Sequence, residues 1–209
     1  MKEVERFWTW AYVQRATLMR KMAAGSSIGG PNFFLDFCRH TPTMITNGPA
    51  GINGAIKGVG FLLQDDYLEA AVDDLMAHIE RGWHDGYSDE GLQLLVRHLW
   101  GEGCASHIDP HYLTSIELAC KHSYANVMAD PQVTLVYYQP PAVSFELRGT
   151  AQLINSGRVH TFVNAVHDAY HRPNLSRWTE RPVYLMRVEE IYDNSVGRDA
   201  FGRRIYPLY

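Results

Sequence analysis

Three short stretches of this 209-residue sequence hold side chains that could do chemistry. The first is "KHSYANVMADPQVTLVYYQ", residues 121–139, where Lys121, His122, Ser123 and Asn126 stand just ahead of an Asp130-Pro131 turn. Lysine brings a positive charge, and serine and asparagine bring hydrogen bonds. A solvated lysine, and an Asx turn or helix C-cap at Asn126, account for the same residues without a ligand. Downstream, Arg148 projects from the polar side of an alternating run, where it can pair with Glu146 or a neighbouring strand, or reach an anion.

The second stretch is "SHIDPHYL". His107, Asp109 and His111 alternate, so a strand would set all three on one face and offer them to a divalent metal, with His122 or His98 as a further ligand. Pro110 interrupts the run, and a polar loop with locally bonded histidines is the plainer reading. The third is the helix predicted over residues 158–171. His160, His167 and His171 fall on its less apolar side, the last two one turn apart. A histidine there can donate a proton near neutral pH, or simply face solvent.

Periodicity supplies the elements that must position these groups. Val4, Phe7, Trp8, Ala11, Arg15, Leu18 and Met22 fall at helical spacing, an apolar stripe that only Arg15 breaks. "GSSIGGPN" ends that helix, and the aromatic rings Phe7, Trp8, Trp10 and Tyr12 suit either a flat ligand or a packed core. Leu68, Ala71, Val72, Leu75 and Ile79 predict a second helix, and Leu92, Leu95, Val96 and Leu99 a third, with Ser88 or Asp89 as its cap. Residues 33–57 give a mixed signal. In "QVTLVYY" and "VSFELRGTAQLI", strict alternation predicts a half-buried antiparallel hairpin with Val143, Phe145 and Leu147 inward. Gly149 marks a bulge or the close approach of another backbone. "RPVYLMRVEEIYD" reads as a strand that is apolar on both faces.

The composition is that of a globular chain, 46% hydrophobic and 20% charged. A net charge of −4 disfavours a nucleic-acid partner held by bulk electrostatics. No apolar run is long enough for a membrane span, and the first residues lack a signal-peptide core. Three cysteines without paired spacing point to a reducing cytoplasm. No serine-hydrolase, P-loop or dinucleotide-binding motif occurs.

The order of "KHSYANVMADPQVTLVYY", "VSFELRGTAQLI" and "RPVYLMRVEEIYD" resembles the FMN-binding split β-barrel family that includes pyridoxamine 5'-phosphate oxidase. The resemblance covers residues 112–195. It implies an antiparallel split β-barrel, placed in 104–209; the family usually opens with a strand pair, whereas here the periodicity reads 1–103 as a mostly helical region packed on the barrel, so the expected class is α+β. It also implies FMN as cofactor, Lys121 and Ser123 as phosphate ligands with His122 and Asn126 as nearby donors, and a homodimer. Arg148 completes the candidate cofactor set. The expected function is a flavin-dependent oxidoreductase acting on a small flat molecule. The alternatives are a non-catalytic haem or flavin binder, and a metal-assisted or cofactor-free acid–base enzyme built on His107, Asp109 and His111.

Overall fold

In the computed structural model, residues 4–207 are described. The first helix joins Val4–Trp8 (α1), a π-helical turn over Thr9–Val13 and Gln14–Ala23 (α2) into one rod, since the residues at both junctions keep helical dihedrals. The middle of its predicted stripe faces the core: Phe7 and Ala11 are buried and Trp8 packs beside them, and the π turn adds Trp10 and Tyr12, while Leu18 and Met22 are only half-buried. Those rings are used in packing. Phe7 meets Phe145 edge-on at 5.3 Å and Trp10 meets Tyr137 at 5.7 Å. Arg15 lies 5.2 Å from the Trp100 ring, and its Nη1 is sealed from solvent without a hydrogen-bond partner. Desolvation lowers its pKa to about 10.

After α3 (Pro31–Phe37), residues 1–103 supply three strands: β1 (Thr43–Thr46) and β2 (Asn53–Ile56), within the stretch of mixed signal, and β3 (Val59–Leu63), beyond it, for which no element was expected. Helices α4 (Asp65–Glu80) and α5 (Tyr87–Leu95) follow at the predicted places. Gly86, rather than Ser88 or Asp89, occupies the α5 N-cap, because the Ser88 hydroxyl donates to the Tyr170 carbonyl instead. The remaining elements are β4 (Ile108–Ile116), α6 (His122–Ala129), β5 (Gln132–Gln139), β6 (Val143–Ile154), α7 (Arg158–Tyr170), β7 (Val183–Asp193) and β8 (Arg203–Tyr206).

All pairings in the sheet are antiparallel, in the order β2-β1-β5-β6-β7-β4-β3, with β8 added on β7. Consecutive strands β2 and β3 thus stand at opposite ends of the path and do not pair. The architecture is an α+β split barrel with helices packed against it. The first half of the chain is mostly helical, yet it also provides both ends of the sheet. Helix α7 packs on α4 and α5.

The hairpin β5–β6 pairs Leu135 with Leu147 and Tyr137 with Phe145, all of them buried. Burial of one face explains the alternation that announced it. Gly149 sits at a register shift against β7, and a Cβ there would lie 1.9 Å from the Arg187 carbonyl oxygen. Both readings of that glycine therefore hold at once. The Gly149→Ala substitution is expected to cost about 2–3 kcal/mol in urea unfolding, because backbone and not a pliable side chain must move. An unchanged midpoint would mean that the bulge can relax freely.

Candidate functional site

The first stretch of chemistry is built around the turn from β4 into α6. Just past β4, Glu117 is buried at 2% exposure. One of its oxygens accepts the N–H groups of Ala119 (2.7 Å) and Cys120 (2.9 Å). The other accepts from Lys57 Nζ and the Tyr184 hydroxyl, both at 2.6 Å. The Lys57 ammonium also lies 5.0 Å from the Tyr184 ring. Burial alone would raise the Glu117 pKa, but Lys57, Tyr184 and the Ala119 N–H outweigh it and hold the carboxyl at about 2. Burial, then the adjacent carboxylate, push the Tyr184 phenol well above its usual value. The turn is thereby fixed, with Cys120 at φ +48 and Lys121 at the head of α6.

Lys121 and His122 are exposed, while Ser123 is buried. No side chain caps α6, so the N–H groups of its first turn lack an intrahelical acceptor. Asn53 Nδ2, on β2, donates to Ser123 Oγ at 2.8 Å and leaves the hydroxyl proton free to be given elsewhere. Among the described residues, neither an ion pair nor a hydrogen bond engages the Lys121 ammonium.

Asn126 has a different place from the one its sequence context suggested. It lies inside α6, fully buried, and neither caps the helix nor forms the turn. Its Oδ1 accepts the Ala50 N–H at 2.9 Å, and its Nδ2 donates to the Gly51 carbonyl (2.7 Å) and Thr46 Oγ1 (3.2 Å). These bonds staple the β1–β2 loop to α6. Gly48 allows the contact, since a Cβ there would sit 2.9 Å from Asn126 Cα. The Asx role falls to Asp130, whose Oδ1 accepts the Gln132 N–H at 3.0 Å. Asn126 is thus a tether whose amide is already spent.

Arg148 takes the ion-pair option. Its Nε donates to Glu146 at 2.5 Å, its Nη1 is 3.9 Å from Glu190, and the guanidinium lies 4.6 Å from the Tyr192 ring. No contact brings it to Lys121. The structure therefore gathers Lys121 and Ser123 at one helix start, with exposed His122 between them. It adds Asn53, Lys57 and Glu117, none of which the sequence signalled. Asn53 and Lys57 lie some 65 residues before α6 and are brought there by the fold, while Glu117 lies in the turn just ahead of α6 but in no recognisable motif.

The "SHIDPHYL" histidines do not converge. His107 closes a 3₁₀ turn and stacks on Tyr67 with ring centres 3.8 Å apart. Asp109 Oδ1 accepts the His111 N–H at 2.8 Å, and the exposed His111 ring faces the Tyr206 hydroxyl at 3.4 Å. Pro110 is accommodated in β4 at the register shift against β3, which removes the common face. Among the described residues, no group of three or more His, Cys, Asp or Glu side chains is placed to hold a metal ion.

On α7, His160 is buried rather than solvated. Its Nε2 is 3.0 Å from the Arg181 carbonyl and 3.3 Å from Asn164 Nδ2. An open cavity of about 410 Å³ lies elsewhere, lined by Arg6, Trp10, Gln14, Val143 and Phe145 among others. Among the described residues, no helix is long and apolar enough to cross a membrane.

No family model matches the chain, and no curated protein matches it. Among solved structures it is similar to HupZ of Group A Streptococcus, at 11% identity and a TM-score of 0.45, over 81% of this chain and 97% of that one. It is similar to a pyridoxamine 5'-phosphate oxidase-related, FMN-binding protein of Nostoc punctiforme, at 11% identity and a TM-score of 0.38, over 79% and 84%. It is also similar to an F420 reductase, at 14% identity and a TM-score of 0.37, over 72% and 87%.

Proposed function

We propose that the chain binds a flat, phosphate-bearing cofactor of the FMN class at the start of α6 and serves as an oxidoreductase for a small flat molecule. One observation carries this reading: an uncapped helix start, an exposed and unengaged Lys121, and a Ser123 hydroxyl oriented by Asn53 occur together. Free backbone N–H groups, a hydroxyl and a cation are what a phosphate dianion needs. The donor set fits such a group. Lys57 supports the fit by neutralising Glu117, whose charge would otherwise oppose an anion nearby. When bound, the flavin supplies the redox chemistry. The protein's part is to bind its phosphate with Lys121, Ser123 and the α6 N–H groups, with exposed His122 as a further donor. Asn126 contributes by fixing the β1–β2 loop against α6.

The proposed partner is a second copy of the chain. Ile45, Ile56 and Tyr138 are exposed on β1, β2 and β5, and Ile52 is exposed just before β2. Pairing of Thr43 with both Ile56 and Val136 puts these strands' outward residues on one surface. Sedimentation of the Ile56→Lys variant as a monomer, against a wild-type dimer, is the expected result.

The central test is the binding of FMN and riboflavin to wild type and Lys121→Ala, followed by absorption and flavin fluorescence. Loss of one charge-assisted bond worth about 1.5–3 kcal/mol should weaken FMN roughly ten- to hundred-fold and leave riboflavin unchanged. Equal loss for both ligands would place Lys121 in folding instead. A wild type that binds neither flavin, or that shows a haem Soret band as purified, would overturn the reading.

A further inference from the structure

Helix α7 ends in two histidines that the cofactor site does not use. His167 and His171 are one turn apart, with ring centres 4.7 Å from each other and planes inclined by 40°. His167 Nδ1 is 2.8 Å from Oδ1 of Asp168. Asp168 is fully buried and held by Trp178, Arg181 and the Asn174 N–H. A carboxylate fixed from three other sides accepts, so His167 donates to it through Nδ1, and Nε2, across the ring, is left outside that bond. The His167 side chain is 35% exposed, which leaves that nitrogen within reach of solvent. The His171 ring has no hydrogen-bond partner among the described residues.

We propose that His167 and His171 form a two-histidine site for a divalent transition metal of the class that imidazole prefers, Cu²⁺, Ni²⁺ or Zn²⁺. The distance argues for it. An imidazole nitrogen ligates such an ion at about 2.0–2.1 Å, which puts each ring centre about 3.2 Å away. Two rings subtending roughly 90–109° at the ion then stand about 4.5–5.2 Å apart, and the observed separation falls inside that interval. Histidines four residues apart on a helix are a recurrent chelate, and here the second of the pair, His171, is the residue that caps α7. The Asp168–His167 contact supplies the carboxylate behind a ligating histidine that fixes tautomer and ring orientation. The C-terminal end of a helix favours a cation, and the charge of Arg181 is already matched by Asp168. Water completes the coordination shell, because no third protein ligand is at hand among the described residues.

The site is independent of the cofactor reading and is tested without it. Purified protein is titrated with Cu²⁺, the tightest binder of the series, in a buffer that supplies no nitrogen or chelating ligand. Binding is followed by tryptophan quenching and electron paramagnetic resonance. One Cu²⁺ per chain with two nitrogen ligands is expected. His171→Ala and His167→Ala should each weaken it by about tenfold or more and reduce the nitrogen count to one. His84→Ala should change neither; His84 lies apart from this pair, its Nε2 3.2 Å from Glu90 and its ring centre 6.4 Å from that of His78. Because His171 is exposed, its variant reports on binding and not on folding. Unchanged affinity in His171→Ala, or an equal loss in His84→Ala, would overturn the proposal.

Discussion

Replacing Lys57 with methionine should lower the unfolding free energy by about 3–5 kcal/mol, because Glu117 would remain buried with its main counter-charge gone. The length and apolar stem of the side chain are kept, so the loss is mainly electrostatic. Adding Glu117→Gln should recover much of the stability, since a neutral amide no longer needs the ammonium; urea unfolding of the two singles and the double isolates the pair. A second consequence follows from pH. The folded Glu117 carboxyl titrates near 2, below its usual range. Its stabilising contribution is therefore complete above the unfolded value of about 4.3 and is lost as pH falls from there toward 2. The substitution should also weaken flavin binding, because the same carboxylate fixes Ala119 and Cys120 ahead of Lys121. A loss under about 1 kcal/mol would show that Glu117 is neutral or hydrated in solution.

The Lys57–Glu117 pair also shows where sequence reading stops. Helices α4 and α7 and the β5–β6 hairpin announced themselves because one face of each is buried, and burial writes a period of 3.6 or 2 into the chain. Strands β1 and β2 are four residues each, too short for a period to accumulate, and β2 exposes Ile56 on an edge. The identity of β1 comes from pairing with β5, some 90 residues away, and that of β2 from pairing with β1, and pairing leaves no local mark. The same holds for the site. Lys121 and Ser123 were visible as a polar group before a strand, whereas Asn53 reaches Ser123, and Lys57 reaches Glu117, only through the folded chain. Asn126 was visible but misplaced, because a buried asparagine that binds a distant loop has the same local sequence as one that ends a helix. At "SHIDPHYL" the alternation was real, but the register shift at Pro110 removed its geometric meaning.

Asp168→Asn should be at least as damaging, about 3–5 kcal/mol, although the change replaces a single atom. The carboxylate accepts from His167 Nδ1, the Asn174 N–H, Trp178 Nε1 and Arg181 Nη1, all within 2.9 Å. An amide turns one acceptor into a donor, so at least one of those donors meets another N–H, and the buried Arg181 guanidinium loses its counter-charge. Burial would raise the Asp168 pKa, but His167, the Asn174 N–H, Trp178 and Arg181 hold the carboxyl well below the usual carboxylate range. The contribution is thus complete above the unfolded pKa of about 3.9 and declines as pH drops below it. Wild type should lose stability steeply through that window, and Asp168→Asn should show a shallower acid slope from a lower starting point. The 3₁₀ turn over Leu175–Glu180 hangs on these bonds, so the near-ultraviolet signal of Trp178 should flatten before the sheet unfolds. The Asp168→Asn loss should exceed that of His167→Ala by several-fold, because His167 is only one of four donors and is partly exposed. Equal losses for the two variants, or an acid slope unchanged by Asp168→Asn, would remove Asp168 as the residue that fastens this segment to α7.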